Sequence, residues 1–122
     1  IILDDDSKLI NTTFIEELSK ICDESSEDEV IIYKVKIYKK KVKRVVPDNK
    51  NFSNKEFKRA DIDMACFCIH HSVFSNFKFK GIRGGDYHFL DSIRKSNNYK
   101  FKYVDLPLGI WANYDGAKRG RN

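Results

Sequence analysis

Three consecutive carboxylates, Asp4-Asp5-Asp6, follow the apolar run Ile1-Ile2-Leu3. Adjacent carboxylates repel one another, and a cation placed between them relieves the repulsion. A hard divalent ion such as Mg²⁺ or Mn²⁺ takes oxygen ligands and commonly bridges carboxylates to phosphates. A short apolar run reads as a buried strand, and ligands bind beyond the carboxyl ends of strands in α/β sheets. The triplet therefore stands where metal or phosphate chemistry is done. The structural alternative is a solvated acidic turn ahead of a helix. A second carboxylate, Asp86, follows the glycine-punctuated loop Lys80–Gly85 and can cap the helix after it.

Other reactive side chains point less clearly to chemistry. Cys66-x-Cys68 has no second pair, so it is no zinc motif. On a strand both sulfurs share one face, as buried thiols. His70 and His71 then point to opposite sides, so at most one can ligate a metal. Lys34–Arg44 (KVKIYKKKVKR) makes a basic stripe of the kind that meets nucleic acid or anionic lipid. Its interleaved Val, Ile and Tyr follow strand alternation rather than a stacking platform, so nucleic acid is not the expected partner.

The elements that must position these groups alternate in type. Phe14, Leu18 and Ile21 mark one face of a helix from about Thr12 to Asp23, opened by a capping box at Thr13-x-x-Glu16. Val30–Ile37 alternates as a half-exposed strand, and Val42–Val46 forms a second one ended by Pro47. Asp48–Arg59 reads as a loop with weak helical content. Met64–Ile69 reads as a strand. A helix runs from Asp86 to about Lys95, and a strand from Tyr99 to Val104. Strands interleaved with helices define a mixed α/β chain. The buried run at Ile1 needs neighbours on both sides, so the sequence reads as the C-terminal part of a larger domain.

Composition bounds the rest. The 122 residues carry 23 Lys+Arg against 18 Asp+Glu, a net charge of +5. Residues 1–29 hold ten acids and two bases, a net of −8, which leaves +13 on the remaining 93. A basic body suits an anionic partner. Aromatics at 13% and hydrophobics at 41% exclude a fully disordered chain. Three cysteines argue against a disulfide scaffold and for a reducing, cytoplasmic setting.

Taken in order, these segments resemble a known family. Ile1–Asp6 looks like the Asp-x-Asp motif of GT-A fold glycosyltransferases, especially family 2-like enzymes. Asn11–Cys22 is similar to the helix that follows that motif. Ala60–Phe77 (ADIDMACFCIHHSVFSNF) resembles the strand and following segment beside the acceptor. Gly84–Ile93 (GGDYHFLDSI) resembles the acidic loop-to-helix motif, and Lys100–Gly109 (KFKYVDLPLG) the next strand. The resemblance spans nearly the whole chain. It implies a partial GT-A fold, a mixed sheet flanked by helices, with residues 1–122 forming the metal- and acceptor-binding part and the nucleotide-binding half lying ahead of it.

The same resemblance implies an activity. A sugar would pass from a nucleotide sugar, UDP- or GDP-linked, to an acceptor hydroxyl on a glycan, lipid or protein, with Mn²⁺ or Mg²⁺ balancing the diphosphate leaving group. Asp6 would ligate the metal, with Asp4 or Asp5 on the ribose or a metal-bound water. A histidine near the tail often completes such a site. The tail here has none, which leaves His70, His71 and His88, with His88 nearest the glycine loop. Asp86 matches the general-base position, which implies inversion. Gly84 and Gly85 would let the backbone approach the sugar. Arg83, Lys118, Arg119 and Arg121 would hold the diphosphate. Asp61 and Asp63 would contact the acceptor or simply end a loop. Trp111 and Tyr114 would stack on a sugar ring, or Trp111 would belong to the core. Peripheral association with a membrane fits the basic stripe.

Two other readings compete. Asp4 and Asp6 also suit an aspartate-dependent phosphatase of the haloacid dehalogenase type, with Gly85-Asp86 and Asp91 as its late metal motif. That motif should follow an apolar strand, and here it follows KFKGIRG. A basic binding module for nucleic acid or membrane would instead depend on the lysines of 34–44.

Overall fold

The computed structural model describes residues 7–39, 42–78 and 84–113. In chain order these form β1 (Ser7–Leu9), α1 (Thr12–Glu24), β2 (Glu29–Ile32), β3 (Val35–Lys39), β4 (Val42–Val46) and α2 (Asn49–Ser53). A 3-10 turn (Met64–Cys66) leads into β5 (Phe67–Cys68), then α3 (His71–Asn76), α4 (Gly85–Lys95), β6 (Lys100–Tyr103) and β7 (Ile110–Asn113). This is an α/β chain with two mixed sheets. One has the order β1-β7-β3-β4 and the other β5-β2-β6. The apolar run expected at residues 1–3 lies outside the described residues.

Helix α1 forms where its apolar spacing predicts. Phe14 and Leu18 are buried four residues apart, and Ile21 is half-buried. The cap sits earlier than the Thr13 box. The Asn11 side chain accepts from the Thr13 N–H at 2.9 Å, because Asn11 keeps extended backbone one residue before the helix. At the other end the Ser25 hydroxyl donates to the Ile21 carbonyl. Ser26 then organises the acidic loop by donating to Asp28 and Glu29. These bonds hold both carboxyls below their ordinary values.

The predicted strand 30–37 is two strands. Tyr33, Val35 and Ile37 do share a buried face. The strand is interrupted at Tyr33-Lys34, where the Tyr33 N–H still donates to the Cys66 carbonyl at 2.9 Å, and β2 serves one sheet and β3 the other. A chain passing between sheets keeps its pleat, and alternation therefore continues through the break. Val30, Ile31 and Ile32 are all buried, as the central strand of a covered sheet requires. Here β2 pairs parallel with β6 and antiparallel with β5.

The core joins both sheets to α1 and α4. Phe14 meets Tyr33 edge-on at 5.1 Å, and Phe89, Leu90 and Ile93 of α4 are fully buried. Gly109 lies against Phe14 so closely that an added Cβ would fall 2.2 Å from the Phe14 Cβ. The Ile10 N–H donates to the Gly109 carbonyl at 2.7 Å beside it. Among the described residues no helix is long and apolar enough to cross a membrane.

Candidate functional site

Asp86 is held at a junction rather than at a helix cap. Gly84 is the N-cap of α4, with φ +75°, a left-handed conformation that glycine adopts without strain. Asp86 falls in the first turn, where its charge complements the helix dipole. Its half-buried carboxylate reaches across to accept from the Met64 N–H at 3.1 Å. Sequence reading alone makes Asp86 the cap, because it cannot show that the preceding glycine takes the left-handed turn.

Met64 is presented by the 3-10 turn. Asp63 caps that turn by accepting from the Ala65 N–H at 2.9 Å and is only 2% exposed. The expected strand 64–69 shrinks to two residues because Met64–Cys66, capped by Asp63, form a 3-10 turn before pairing begins. Cys66 therefore lies in the turn, fully buried, with its thiol donating to the Val46 carbonyl. Burial and the nearby Asp63 charge push that thiol up. Cys68 lies on β5, so only one of the two cysteines belongs to a strand.

Asp61 has a local structural job. Its two oxygens accept from the Asp48 N–H at 3.2 and 2.9 Å, and one also accepts from Asn51 Nδ2 at 2.7 Å. Asp48 in turn caps α2 by accepting from the Asn51 N–H at 2.7 Å. The segment 48–61 is thereby tied down around a buried carboxylate.

The glycine loop has a neighbour that sequence spacing does not reveal. A Cβ added at Gly84 would lie 3.2 Å from Arg59 Nε, so the Arg59 guanidinium rests against the start of α4. Arg59 and Asp86 are 27 positions apart, and no motif links them.

His88 leaves α4 about 200° around the helix from Asp86. It lines a separate cavity of about 140 Å³ with Lys78, Asp91 and Lys95. Asp91 is ion-paired with Arg94 and, at 3.0 Å, with Lys95. Burial pushes its carboxyl up, but the hydrogen bonds from Lys95 and Arg94 prevail and hold it below its ordinary value. Asp91 is thus already neutralised by its own helix, which weighs against its use in a phosphatase metal motif.

Trp111 is built into β7. Lys8 stands opposite it on β1 and Lys36 on β3. The Lys8 ammonium lies 4.4 Å from its ring centroid, and Tyr38 meets it edge-on at 6.3 Å. Its buried Nε1–H has no hydrogen-bond partner among the described residues. Asp4, Asp5, Asp6, Arg83, Tyr114, Lys118, Arg119 and Arg121 lie outside the described residues. Ser7 is registered opposite Ala112 in the antiparallel pairing of β1 with β7. Neither short strand is legible in the sequence, because three or four residues carry too little alternation to read.

Among the described residues, no group of three His, Cys, Asp or Glu side chains could hold a metal ion. No protein-family profile, curated protein or solved structure matches the chain.

Proposed function

We propose that this chain carries the metal- and acceptor-binding part of a GT-A-type glycosyltransferase, transferring a sugar from a UDP- or GDP-sugar to an acceptor hydroxyl. The observation that carries this reading is the β1–β7 register, with Ser7 opposite Ala112. In sequence the acidic triplet directly precedes β1 and the basic tail follows β7, the charge pattern that a metal–diphosphate pair requires.

Asp6, with Asp4 and Asp5, would hold Mn²⁺ or Mg²⁺, which when bound supplies charge stabilisation to the diphosphate leaving group. Lys118 and Arg119 would contact the same phosphates, with Arg83 approaching from the glycine loop. Asp86 would accept the proton of the attacking hydroxyl. Its anchorage to the Met64 N–H fixes the carboxylate for that task. Gly84 and Gly85 would let the backbone approach the sugar closely. Trp111 and Tyr114 would offer rings to the acceptor sugar.

The test is release of nucleoside diphosphate from a panel of UDP- and GDP-sugars by the native full-length protein. The reading expects release that requires Mn²⁺ or Mg²⁺ and is lost in Asp6→Ala. Release of inorganic phosphate from phosphomonoesters without nucleotide dependence would replace it with the phosphatase reading.

A further inference from the structure

The strongest chemistry outside that site is a pair of thiols. Cys22, in the last turn of α1, and Cys68, on β5, have their sulfurs 3.4 Å apart. They come from positions 46 residues apart, so their approach is a product of the tertiary fold. Both are free and half-buried. Both line a cavity of about 270 Å³, with Ser25, Ser26, His70 and His71 on its walls. A small oxidant can therefore reach them. Cys66, fully buried in the 3-10 turn, is withheld from it.

We infer that Cys22 and Cys68 form a reversible disulfide when the folded chain meets a low-molecular-weight disulfide such as oxidised glutathione. The sulfurs must close from 3.4 Å to about 2.05 Å, a movement within reach of side-chain rotation at a helix end. One thiolate of the pair attacks one sulfur of the oxidant and releases one glutathione thiolate. The other protein sulfur, 3.4 Å away, then attacks the protein sulfur of the mixed disulfide and releases the second. The two protein thiol protons pass to the two released thiolates, and the oxidant is reduced as the protein pair is oxidised. The new bond staples α1 to the strand that continues directly from the turn presenting Met64 to Asp86.

The experiment treats the folded protein with oxidised glutathione, then measures intact mass and a non-reducing peptide map. The expected result is a mass loss of about 2 Da, a Cys22–Cys68 linked peptide, a free Cys66, and full reversal by dithiothreitol. The melting temperature of the oxidised form should rise by roughly 5–15 °C. Cys22→Ser should stop at a glutathione adduct on Cys68, whereas Cys66→Ala should still form the bond. A link that includes Cys66, or an adduct in the wild type that never resolves to the internal disulfide, would overturn the inference. If a variant fails to fold, the wild-type map alone decides.

Discussion

The Asp86 carboxylate accepts the backbone N–H of Met64 at 3.1 Å, bridging the first turn of α4 to the 3-10 turn before β5. One carboxylate thus joins two elements that start 21 residues apart, and it is also the group assigned to take the acceptor proton.

The two roles separate by substitution. Asp86→Asn keeps an oxygen that can accept from Met64 but removes the base. It should leave the melting temperature nearly unchanged while lowering kcat by about 10²–10⁴-fold. Asp86→Ala loses both, and should also cost about 1–2 kcal/mol of stability. Denaturant titration beside a rate assay checks this. Full activity in Asp86→Asn would show that the carboxylate has only the structural role.

Gly109 and Phe14 make the tightest contact found for a described glycine. An alanine methyl at 109 would sit 2.2 Å from the Phe14 Cβ, so the β6–β7 connection or α1 must move. Gly109→Ala should cost about 3 kcal/mol or more. Gly84→Ala should cost only about 1–2 kcal/mol, from its positive φ and a guanidinium that can swing away. Equal losses in the two variants would contradict the packing described.

Asp61 satisfies two donors inside the 48–61 segment. Asp61→Ala strands the Asp48 N–H and the Asn51 amide, and should cost about 3 kcal/mol. Urea unfolding measures it. If Asp61 served only the acceptor, stability would not change and only KM would rise.

Alkaline pH should weaken the fold. Burial, then Cys68, raise the Cys22 thiol from 9.0 to about 12. Burial also raises Cys66 and Tyr33. A group whose folded pKa lies above its unfolded value stabilises fully below the unfolded pKa, and that stability is lost as pH rises through the folded one. The window runs from about pH 8.5–9 to about 12. Denaturant midpoints should therefore fall steadily across it, and less steeply in Cys22→Ser. A flat profile would show these thiols to be solvated.

What the sequence revealed depended on length and range. Phe14, Leu18 and Ile21 repeat often enough to show α1, and Tyr33, Val35 and Ile37 show a buried strand face. The change of sheet at Tyr33-Lys34 left no mark, because pleating continues across it. Strands β1 and β7 and helix α3 were too short to carry a period. Asp63 and Gly84 reset the local backbone ahead of Cys66 and Asp86, and shifted the turn and cap by a few residues. The meeting of Cys22 with Cys68, and of Arg59 with Gly84, has no local signature. With three cysteines, three pairings are open, and only the fold chooses among them.

The proposed function requires a metal-dependent nucleotide site built on Asp6. Thermal stabilisation of the full-length protein by UDP and GDP, with and without Mn²⁺, beside Asp6→Ala, is the measurement to make. A glycosyltransferase should show a shift that needs both metal and nucleotide, at about 2.7 kcal/mol for ligand at 100 times its Kd, and that vanishes in the variant. No shift with either nucleotide, or an equal shift in Asp6→Ala, would contradict it.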